Sequence, residues 1–372
     1  MSRIVVVGGG IVGASAAYHL AEGGTDTILV DRFDQGQATA AGAGIISAGS
    51  SQTIPGAVLD YAATAVPFYQ SLIDELAAIG QTQTGYDAVG EMICARNDEE
   101  FAQLQPLLGF YQERFRYQNG PVEFIDGQQA RSLFPALGEI PGAIHIPDVA
   151  RVDGALMRDA LLAGARHHGA TLRSGDSSLM LESGSVTGVT VDGERITADA
   201  VIIAGGAWTN ALLKPLGVSI DVAPQRGQIL HLTMPGADTS RWPIIQKLSD
   251  QYILTFGPDR VVVGATREFD SGFDYRLTVG GTRSVLDEAL SVAPGLAAGS
   301  IKEWRVGFRP ISKDGLPWLG SVSGAKNVVV ATGLGPSGLT LGPYSGLVAA
   351  QLAMDQVPDV DLKAFSPARA SA

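Results

Sequence analysis

The chain has 372 residues, of which 45% are hydrophobic and 17% are charged, so it can bury sizeable cores and is long enough for two domains. Its 26 basic and 38 acidic residues give a formal net charge of −12, and without a Lys/Arg-rich run this excludes the usual nucleic-acid-binding composition. The single cysteine, Cys94, excludes an intrachain disulfide and a cysteine-based zinc cluster, and no metal site is expected.

The first 31 residues predict a βαβ unit. Residues 4–7 are apolar and β-branched, as in a parallel strand buried on both faces, and residues 11–22 read as a helix. A second buried strand at residues 27–30 ends at Asp31. The apolar start breaks into glycines too early for a secretory signal, and no apolar stretch is long enough for a transmembrane helix. We therefore expect a cytoplasmic protein and leave peripheral membrane association open.

A Gly-rich turn joins the first strand to the first helix. Gly8, Gly10 and Gly13 form the pattern G-x-G-x-x-G, which brings a pyrophosphate to the helix N-terminus when strand and helix flank it in this way. Asp31 follows 18 residues after Gly13. Its carboxylate suits ribose hydroxyls and disfavours the 2′-phosphate of NADP. The pattern predicts a dinucleotide site, the alternative being a glycine turn that only packs.

The segments that follow predict a mixture of loops, helices and strands. Residues 39–51 predict a small-residue loop near a ligand, and residues 58–79 a helix that Pro67 kinks or divides. Further helices are predicted at 98–109, at 126–133 with Asp126 as N-cap, and from Asp153 as N-cap to residue 168. Strands are predicted at 171–173, 186–191, 195–197 and 201–204, the second and third of them as a hairpin.

The pattern of apolar and polar residues changes twice in the second half of the chain. Strands at 228–233, 251–255 and 260–264 alternate apolar and polar residues, which indicates an antiparallel sheet. The end of the chain predicts a buried strand at 327–331, a Gly-rich turn at 333–342 and an apolar helix at 343–354. We therefore predict an α/β protein. Its Rossmann-like dinucleotide-binding domain comprises residues 1–50, 145–222 and 306–372, and a mostly antiparallel α+β substrate domain comprises 51–144 and 223–305.

Two later glycine-rich turns favour FAD over NAD as the dinucleotide. Residues 204–208 follow a strand and residues 333–340 precede a helix, so three close backbone approaches would line one long, extended cofactor. An NAD-dependent dehydrogenase is the alternative that the motif alone leaves open.

Five segments in the same order resemble the D-amino-acid oxidase superfamily of flavoproteins, in the branch of glycine oxidase, sarcosine oxidase and bacterial D-amino-acid dehydrogenases. They are the opening βαβ unit, Pro-Gln-Arg-Gly-Gln at 224–228, Val-Gly-Ala-Thr at 263–266, Gly-Phe-Arg-Pro followed by Asp-Gly-Leu-Pro at 307–317, and the turn at 333–342. With the turns above, the resemblance implies these FAD-binding residues: Gly8, Gly10, Ile11, Val12, Gly13, Asp31, Arg32, Thr39, Gly44, Ile45, Ala204, Gly205, Trp208, Gly227, Gly333, Gly335, Gly338, Leu339 and Thr340.

The resemblance also implies a substrate site. Arg309 matches the carboxylate-binding arginine of the family and can bind a carboxylate bidentately, the alternative being a structural ion pair. Tyr252 matches an active-site tyrosine, the alternative being a buried aromatic of the sheet. Arg267 is a second candidate for the anion, with a plain surface position as its alternative. Leu334 departs from the polar residues that relatives carry in this turn, and the distant Cys94 implies a noncovalent flavin.

The activity that the resemblance implies is oxidation of the C–N bond of a small D-amino acid or secondary amino acid. Hydride passes from Cα to flavin N5, the imino acid hydrolyses to an oxo acid, and oxygen or a quinone-like acceptor takes the electrons. A flavin-binding subunit of a larger dehydrogenase, with little activity alone, is the alternative. The particular amino acid, its enantiomer, the electron acceptor and the oligomeric state stay open at this point.

Overall fold

The computed structural model describes residues 2–49, 54–116, 120–248 and 251–371. The strands, in chain order, are β1 (Arg3–Val7), β2 (Asp26–Asp31), β3 (Ile45–Ile46), β4 (Asp87–Ala88), β5 (Glu91–Ala95), β6 (Glu123–Asp126), β7 (Gly142–Ile146), β8 (Ala150–Arg151), β9 (Thr171–Ser174), β10 (Ser177–Glu182), β11 (Ser185–Val191), β12 (Glu194–Thr197), β13 (Ala200–Ile203), β14 (Ala223–Thr233), β15 (Ile244–Lys247), β16 (Tyr252–Phe256), β17 (Arg260–Gly264), β18 (Ser300–Ile311), β19 (Trp318–Val322) and β20 (Ala325–Thr332). The helices are α1 (Ile11–Glu22), α2 (Ala38–Ala41), α3 (Gly56–Ala78), α4 (Asp98–Leu104), α5 (Leu108–Arg114), α6 (Gly127–Leu133), α7 (Gly154–His167), α8 (Thr209–Leu213), α9 (Val279–Val292) and α10 (Gly338–Ala353).

The first sheet is mostly parallel and has the strand order β19-β20-β13-β1-β2-β9. Its central strands β1 and β13 are buried on both faces, as their unbroken β-branched runs predict. One face packs on α1, α3, α7 and α10, and the other on the small sheet β10-β11-β12. The predicted hairpin is β11–β12, and β10 adds a third strand to it. The C-terminal ends of β1, β2, β13 and β20 therefore open at one common edge.

The second sheet has eight strands in the order β18-β14-β17-β16-β15-β5-β7-β6. All its neighbours pair antiparallel except β15 and β5, which are parallel. One face packs against α6 and α9. The predicted α/β class with a second, mostly antiparallel unit is confirmed. Strands β7 and β18 cross the predicted boundaries at 144/145 and 305/306 while staying within this sheet, and the division into domains stays a prediction.

Several predicted element bounds differ from the structure, mostly at prolines. Helix α3 runs through Pro67 without a break, so the predicted division is wrong. Pro67 and Ala63, whose carbonyl loses its helical donor, are both exposed, and water can satisfy that carbonyl. The single helix predicted at 98–109 is instead α4 and α5, separated by a 3₁₀ turn that contains Pro106. The predicted loop at 39–51 contains the end of α2 and strand β3, and residues 50–53 lie outside the described residues.

The predicted N-caps at α6 and α7 are confirmed. Asp126 accepts a hydrogen bond from the backbone N–H of Gln129 at 2.8 Å, and Asp153 accepts from those of Ala155 and Leu156 at 3.0 and 3.2 Å. In the part of the chain that the structure describes, no helix has the length and apolar character needed to cross a membrane.

The last helix begins at Gly338, five residues before the predicted start at residue 343. The expected start was wrong because Pro343 is accommodated inside the helix. Pro343 has no N–H to donate to the carbonyl of Leu339, four residues earlier. The hydroxyl of the fully buried Tyr69, on α3, donates a hydrogen bond to that carbonyl instead. Tyr69 thus supplies the missing donor from another helix.

Replacing Tyr69 by phenylalanine is therefore expected to destabilise the protein. The variant leaves the buried Leu339 carbonyl without a donor, and we expect the free energy of unfolding to fall by about 1–3 kcal/mol. Urea denaturation measures the change. Tyr86, which stacks on Tyr69 with ring centroids 5.8 Å apart, provides the matched control Tyr86→Phe. Equal destabilisation by both substitutions would contradict this role of the Tyr69 hydroxyl.

Candidate active site

A cavity of about 650 Å³ lies between the two sheets, at the edge where β1, β2, β13 and β20 end. This volume lies within the range of small-molecule sites. The cavity extends from Arg32 and Asp176 at one end to Tyr252 and Arg309 on the antiparallel sheet at the other. Of the predicted cofactor residues, all but Gly13 line it: Gly8, Gly10, Ile11, Val12, Asp31, Arg32, Thr39, Gly44, Ile45, Ala204, Gly205, Trp208, Gly227, Gly333, Gly335, Gly338, Leu339 and Thr340.

The first glycine turn is shaped by two backbone approaches that exclude any side chain. Gly8 has φ +107°, and a Cβ there would lie 2.4 Å from the carbonyl oxygen of Ala204. A Cβ on Gly13 would lie 1.8 Å from the carbonyl oxygen of Gly8. Gly13 thus lies behind the cavity wall and permits α1 to pack on the turn. Gly10, in contrast, faces the cavity, and a Cβ there would meet only the Thr39 hydroxyl, at 3.2 Å.

The N-terminus of α1 is held by Thr39 from a neighbouring segment. Because the N-cap residue is Gly10, α1 has no side-chain cap of its own. The Thr39 hydroxyl instead accepts a hydrogen bond from the backbone N–H of Ile11 at 2.9 Å. It satisfies one of the free N–H groups of the helix N-terminus while the cavity remains lined by glycine backbone.

Asp31 is buried at the end of β2 and is already engaged by the protein. Its carboxylate accepts hydrogen bonds from the backbone N–H groups of Gly9 and Phe33. The Gln37 amide donates to both of its oxygens, at 2.9 and 3.1 Å. Asp31 therefore orders the glycine turn as well as lining the cavity. Gln37 could not be predicted as a site residue, because nothing in the sequence around it indicates a partner at Asp31.

A second helix begins at the same cavity. Gly338, Leu339 and Thr340 form the first turn of α10, and all three line the cavity. The Thr340 hydroxyl donates to the carbonyl of Ile45 at 3.0 Å and so ties this turn to β3. The partial positive charges of two helix N-termini, α1 and α10, therefore act on one cavity and favour an anionic or electron-rich ligand there.

Arg309 lies on β18, at the end of the cavity opposite Arg32. Its side chain crosses the neighbouring strand β14. Its guanidinium lies where a side chain on Gly227 would be, since a Cβ there would come within 2.5 Å of Nη1. Nη1 donates to the carbonyl of Thr266 at 3.1 Å and to Oε1 of Gln225 at 3.3 Å, both neutral oxygens. The missing side chain at Gly227 thus lets the guanidinium reach the cavity.

Tyr252 lies on β16 beside this guanidinium and is hydrogen-bonded to Arg309. Burial raises the pKa of the Tyr252 hydroxyl, while the positive charges of Arg309 and Arg267 oppose that rise. The ring lies over Gly264 of β17, where a Cβ would come within 2.9 Å of the hydroxyl oxygen. Because its pKa is raised, the Tyr252 hydroxyl stays protonated at neutral pH and can donate a hydrogen bond to an anion.

Arg267 and Arg226 differ although both come from this region. Arg267 is largely exposed and lines the cavity. Arg226 is buried outside the cavity lining and is paired with Glu268 at 2.6 Å and Asp274 at 2.9 Å. Among the described lining residues, the carboxylates are Asp31, Asp34 and Asp176, none of them on the antiparallel sheet. Arg267 and Arg309 thus bring two guanidinium groups to this end of the cavity.

Leu334 lies in the wall of the cavity, and Cys94 lies away from it. Leu334 is buried and gives the cavity an apolar wall. Cys94, the only cysteine, lies fully buried within β5 away from the cavity lining, and burial raises the pKa of its thiol to about 12. No thiol is therefore available at the cavity for a covalent cofactor link. Within the described ranges, no three His, Cys, Asp or Glu side chains cluster as they would for a metal ion.

The cavity fits the extended dinucleotide predicted from the sequence. Its floor is glycine backbone at Gly8, Gly10, Gly205 and Gly333, and a Cβ at Gly8 or Gly333 would come within 2.8 Å of its neighbours. The hydroxyl of Ser312, which lines the cavity, is buried without a hydrogen-bond partner. A bound group with polar edges would satisfy this atom.

Comparisons with known proteins agree with this geometry. Residues 3–352 match the family model described as FAD dependent oxidoreductase. The chain is 40% identical to a Bacillus subtilis protein named uncharacterized oxidoreductase YurR, with 100% of both chains covered. It also resembles the crystal structure of iminodiacetate oxidase from Chelativorans sp. BNC1, at 40% identity and TM-score 0.94, covering 98% and 99% of the two chains. A glycine oxidase from Geobacillus kaustophilus matches at 26% identity and TM-score 0.86, covering 99% of each chain.

Proposed function

The chain belongs to the family of FAD dependent oxidoreductases, as its resemblance to the D-amino-acid oxidase superfamily implied, and on that premise we propose that it oxidises the C–N bond of a small amino acid anchored by Arg309. The observation that carries the proposal is the placement of Arg309. Its guanidinium lines the cavity beside a protonated Tyr252 hydroxyl, and Nη1 donates hydrogen bonds to the carbonyl of Thr266 and to Oε1 of Gln225. A carboxylate is the complementary ligand for these groups.

The described residues divide the cavity between cofactor and substrate. The turn at Gly8 and Gly10, with Asp31, would hold the nucleotide part of FAD, and the first turn of α10 would lie against the flavin. FAD, when bound, supplies the hydride acceptor for the reaction. With the only cysteine buried in β5, FAD is held here without a cysteinyl link.

The protein's own contribution to the chemistry is position and charge. Arg309 and Tyr252 fix the substrate carboxylate, which aims the Cα–H bond at the flavin. The substrate loses a hydride from Cα and a proton from nitrogen, so its Cα–N single bond becomes the double bond of an imine. Water then hydrolyses the imine to an oxo acid and to ammonia or an amine. The buried side chain of Leu334 adds an apolar surface to the cavity wall.

The proposed substrates are glycine derivatives and secondary amino acids. Support comes from the solved relatives, which are named iminodiacetate oxidase and glycine oxidase. Iminodiacetate carries one carboxylate on each side of a secondary amine, and the guanidinium of Arg267 lines the same cavity as the Arg309 anchor. D-amino acids, sarcosine and proline belong in the same panel, with oxygen or a quinone-like compound as acceptor.

The reaction is tested by product analysis with the purified yellow enzyme. The proposal predicts an oxo acid, together with ammonia or an amine, from at least one substrate of the panel in air or with a quinone dye. Hydrogen peroxide in air identifies oxygen as the acceptor, and turnover only with the dye identifies a dehydrogenase. If no compound of the panel gave an oxo acid with either acceptor, the proposal would be contradicted.

Replacing Tyr252 by phenylalanine is expected to weaken substrate binding without abolishing it. A hydrogen bond to a charged group contributes about 1.5–3 kcal/mol, so the KM should rise about 10- to 100-fold. Because burial keeps the pKa of Tyr252 above its ordinary value of 10.0, the ratio of the two KM values should be constant between neutral pH and pH 9. Steady-state kinetics at both pH values measure this ratio. A ratio that collapses toward 1 at the higher pH would show that the hydroxyl titrates and does not serve as a permanent donor.

A further inference from the structure

Gln246 lies on the cavity side of the antiparallel sheet, although no sequence motif marks it. It belongs to β15, and the residues on either side of it face the other way. Ile245 packs in the core under α9, and the Lys247 ammonium pairs with Glu288 of α9. Gln246 therefore points to the opposite face, where it lines the cavity.

A cross-strand row places Gln246 next to the substrate anchors. Gln246 is directly opposite Tyr252 on β16, and Tyr252 is directly opposite Gly264 on β17. Directly opposed residues share one face, with Cβ atoms about 5 Å apart. The Tyr252 hydroxyl lies over Gly264, toward Arg309. Gln246 therefore lies on the far side of the tyrosine ring from the Arg309 guanidinium.

The amide of Gln246 is not used by the protein itself. It is partly buried and has no hydrogen-bond partner among the described residues, whereas the nearby Gln251 amide donates to the carbonyl of Ala265 at 3.1 Å. A glutamine amide offers two N–H donors and one carbonyl acceptor and carries no charge. It can donate to an anionic oxygen without adding a fixed charge to the cavity.

We propose that Gln246 is a specificity-determining residue that donates a hydrogen bond to a second carboxylate of the substrate, the one not held by Arg309. This inference rests on the proposed function, because it takes Arg309 as the anchor of the first carboxylate. A substrate that passes the Tyr252 ring would carry its nitrogen substituent or side chain toward Gln246. Gln246 then selects imino- and aminodicarboxylates over monocarboxylates of similar size.

The test uses two unreactive ligands that differ by one carboxylate. Thiodiacetate and (methylthio)acetate contain sulfur in place of nitrogen, so neither has a C–N bond to oxidise, and binding is followed through the flavin absorption spectrum of the holoenzyme. In Gln246→Leu we expect the Kd for thiodiacetate to rise at least about 10-fold. The Kd for (methylthio)acetate should not change. Gln246→Glu should weaken thiodiacetate further, because it places like charges together.

Turnover provides the parallel readout. The KM for iminodiacetate should rise in Gln246→Leu while that for sarcosine, its monocarboxylate counterpart, stays constant. The matched control for Gln246→Glu is Gln103→Glu, which adds the same negative charge at an exposed position on α4. Equal weakening of both ligands, or no change in either, would overturn the role of Gln246. Since the two sulfur ligands do not react, their Kd values decide the matter even if no amino acid is oxidised, which would overturn only the proposed function.

Discussion

Replacing Arg309 by alanine is expected to raise the KM for the amino-acid substrate about 100-fold while the protein stays yellow. Truncating one partner of a hydrogen-bonded charge pair costs about 2–5 kcal/mol, and about 3 kcal/mol corresponds to a 100-fold weaker interaction. FAD should be retained, because Arg309 lies at the antiparallel sheet, at the opposite end of the cavity from Arg32 and Asp176. Steady-state kinetics and the flavin spectrum of the purified variant measure both expectations.

Two further variants separate charge from geometry. Arg309→Lys keeps the positive charge but loses the planar, bidentate donor pair, so its KM should lie between those of the wild type and Arg309→Ala. Arg283→Ala removes an exposed arginine on α9, far from the cavity lining, and should leave the KM unchanged. An Arg309→Ala enzyme with wild-type KM would contradict the carboxylate anchor. One that loses FAD would instead assign Arg309 to the cofactor.

Replacing Gly13 by alanine is expected to weaken FAD binding about 5- to 150-fold and to lower the FAD content of the purified protein. The added Cβ would lie 1.8 Å from the carbonyl oxygen of Gly8, a backbone atom that can move only with the turn itself. Such overpacking costs about 1–3 kcal/mol or more, here at the segment that must meet the pyrophosphate. Titration of the apoprotein with FAD, followed by fluorescence, measures the Kd.

Gly10→Ala distinguishes lost binding from lost folding. Gly10 has φ −69° and ψ −177°, which alanine adopts freely, and its new Cβ would meet only the Thr39 hydroxyl. The variant should therefore fold but obstruct the approach of the pyrophosphate. Gly280→Ala, in α9 with nothing within 4 Å of the added Cβ, is the matched control and should bind FAD normally. Stoichiometric FAD in both Gly13→Ala and Gly10→Ala would contradict the assigned cofactor site.

The parts of the fold that the sequence predicts well are those determined locally. The βαβ unit, the glycine turn and the caps at Asp126 and Asp153 follow from periodicity and from residues within one turn of each other. The wrong element bounds arise where a distant group decides the outcome. Helix α10 starts early because Tyr69 supplies the donor that Pro343 lacks, although Tyr69 and the accepting Leu339 are 270 residues apart in the chain.

The candidate site divides in the same way. Arg309 and Tyr252 could be proposed from short motifs that a family resemblance makes visible. Gln246 could not, because its position depends on β15 pairing in parallel with β5 and antiparallel with β16. The local pairing with β16 and the long-range pairing with β5 together establish which face of β15 meets the cavity. Gln37 was missed for a similar reason, since its amide acts through the buried carboxylate of Asp31.

Anaerobic mixing of the yellow holoenzyme with the amino-acid panel tests the central claim most directly. The claim is that Arg309 holds a carboxylated amine against the bound flavin. It predicts that at least one substrate, with iminodiacetate and sarcosine foremost, bleaches the visible flavin absorption, and that the colour returns on mixing with oxygen or a quinone. Arg309→Ala should stay yellow at the same substrate concentration. A wild-type spectrum that stays oxidised with every member of the panel, or an Arg309→Ala protein that bleaches as readily as the wild type, would contradict it.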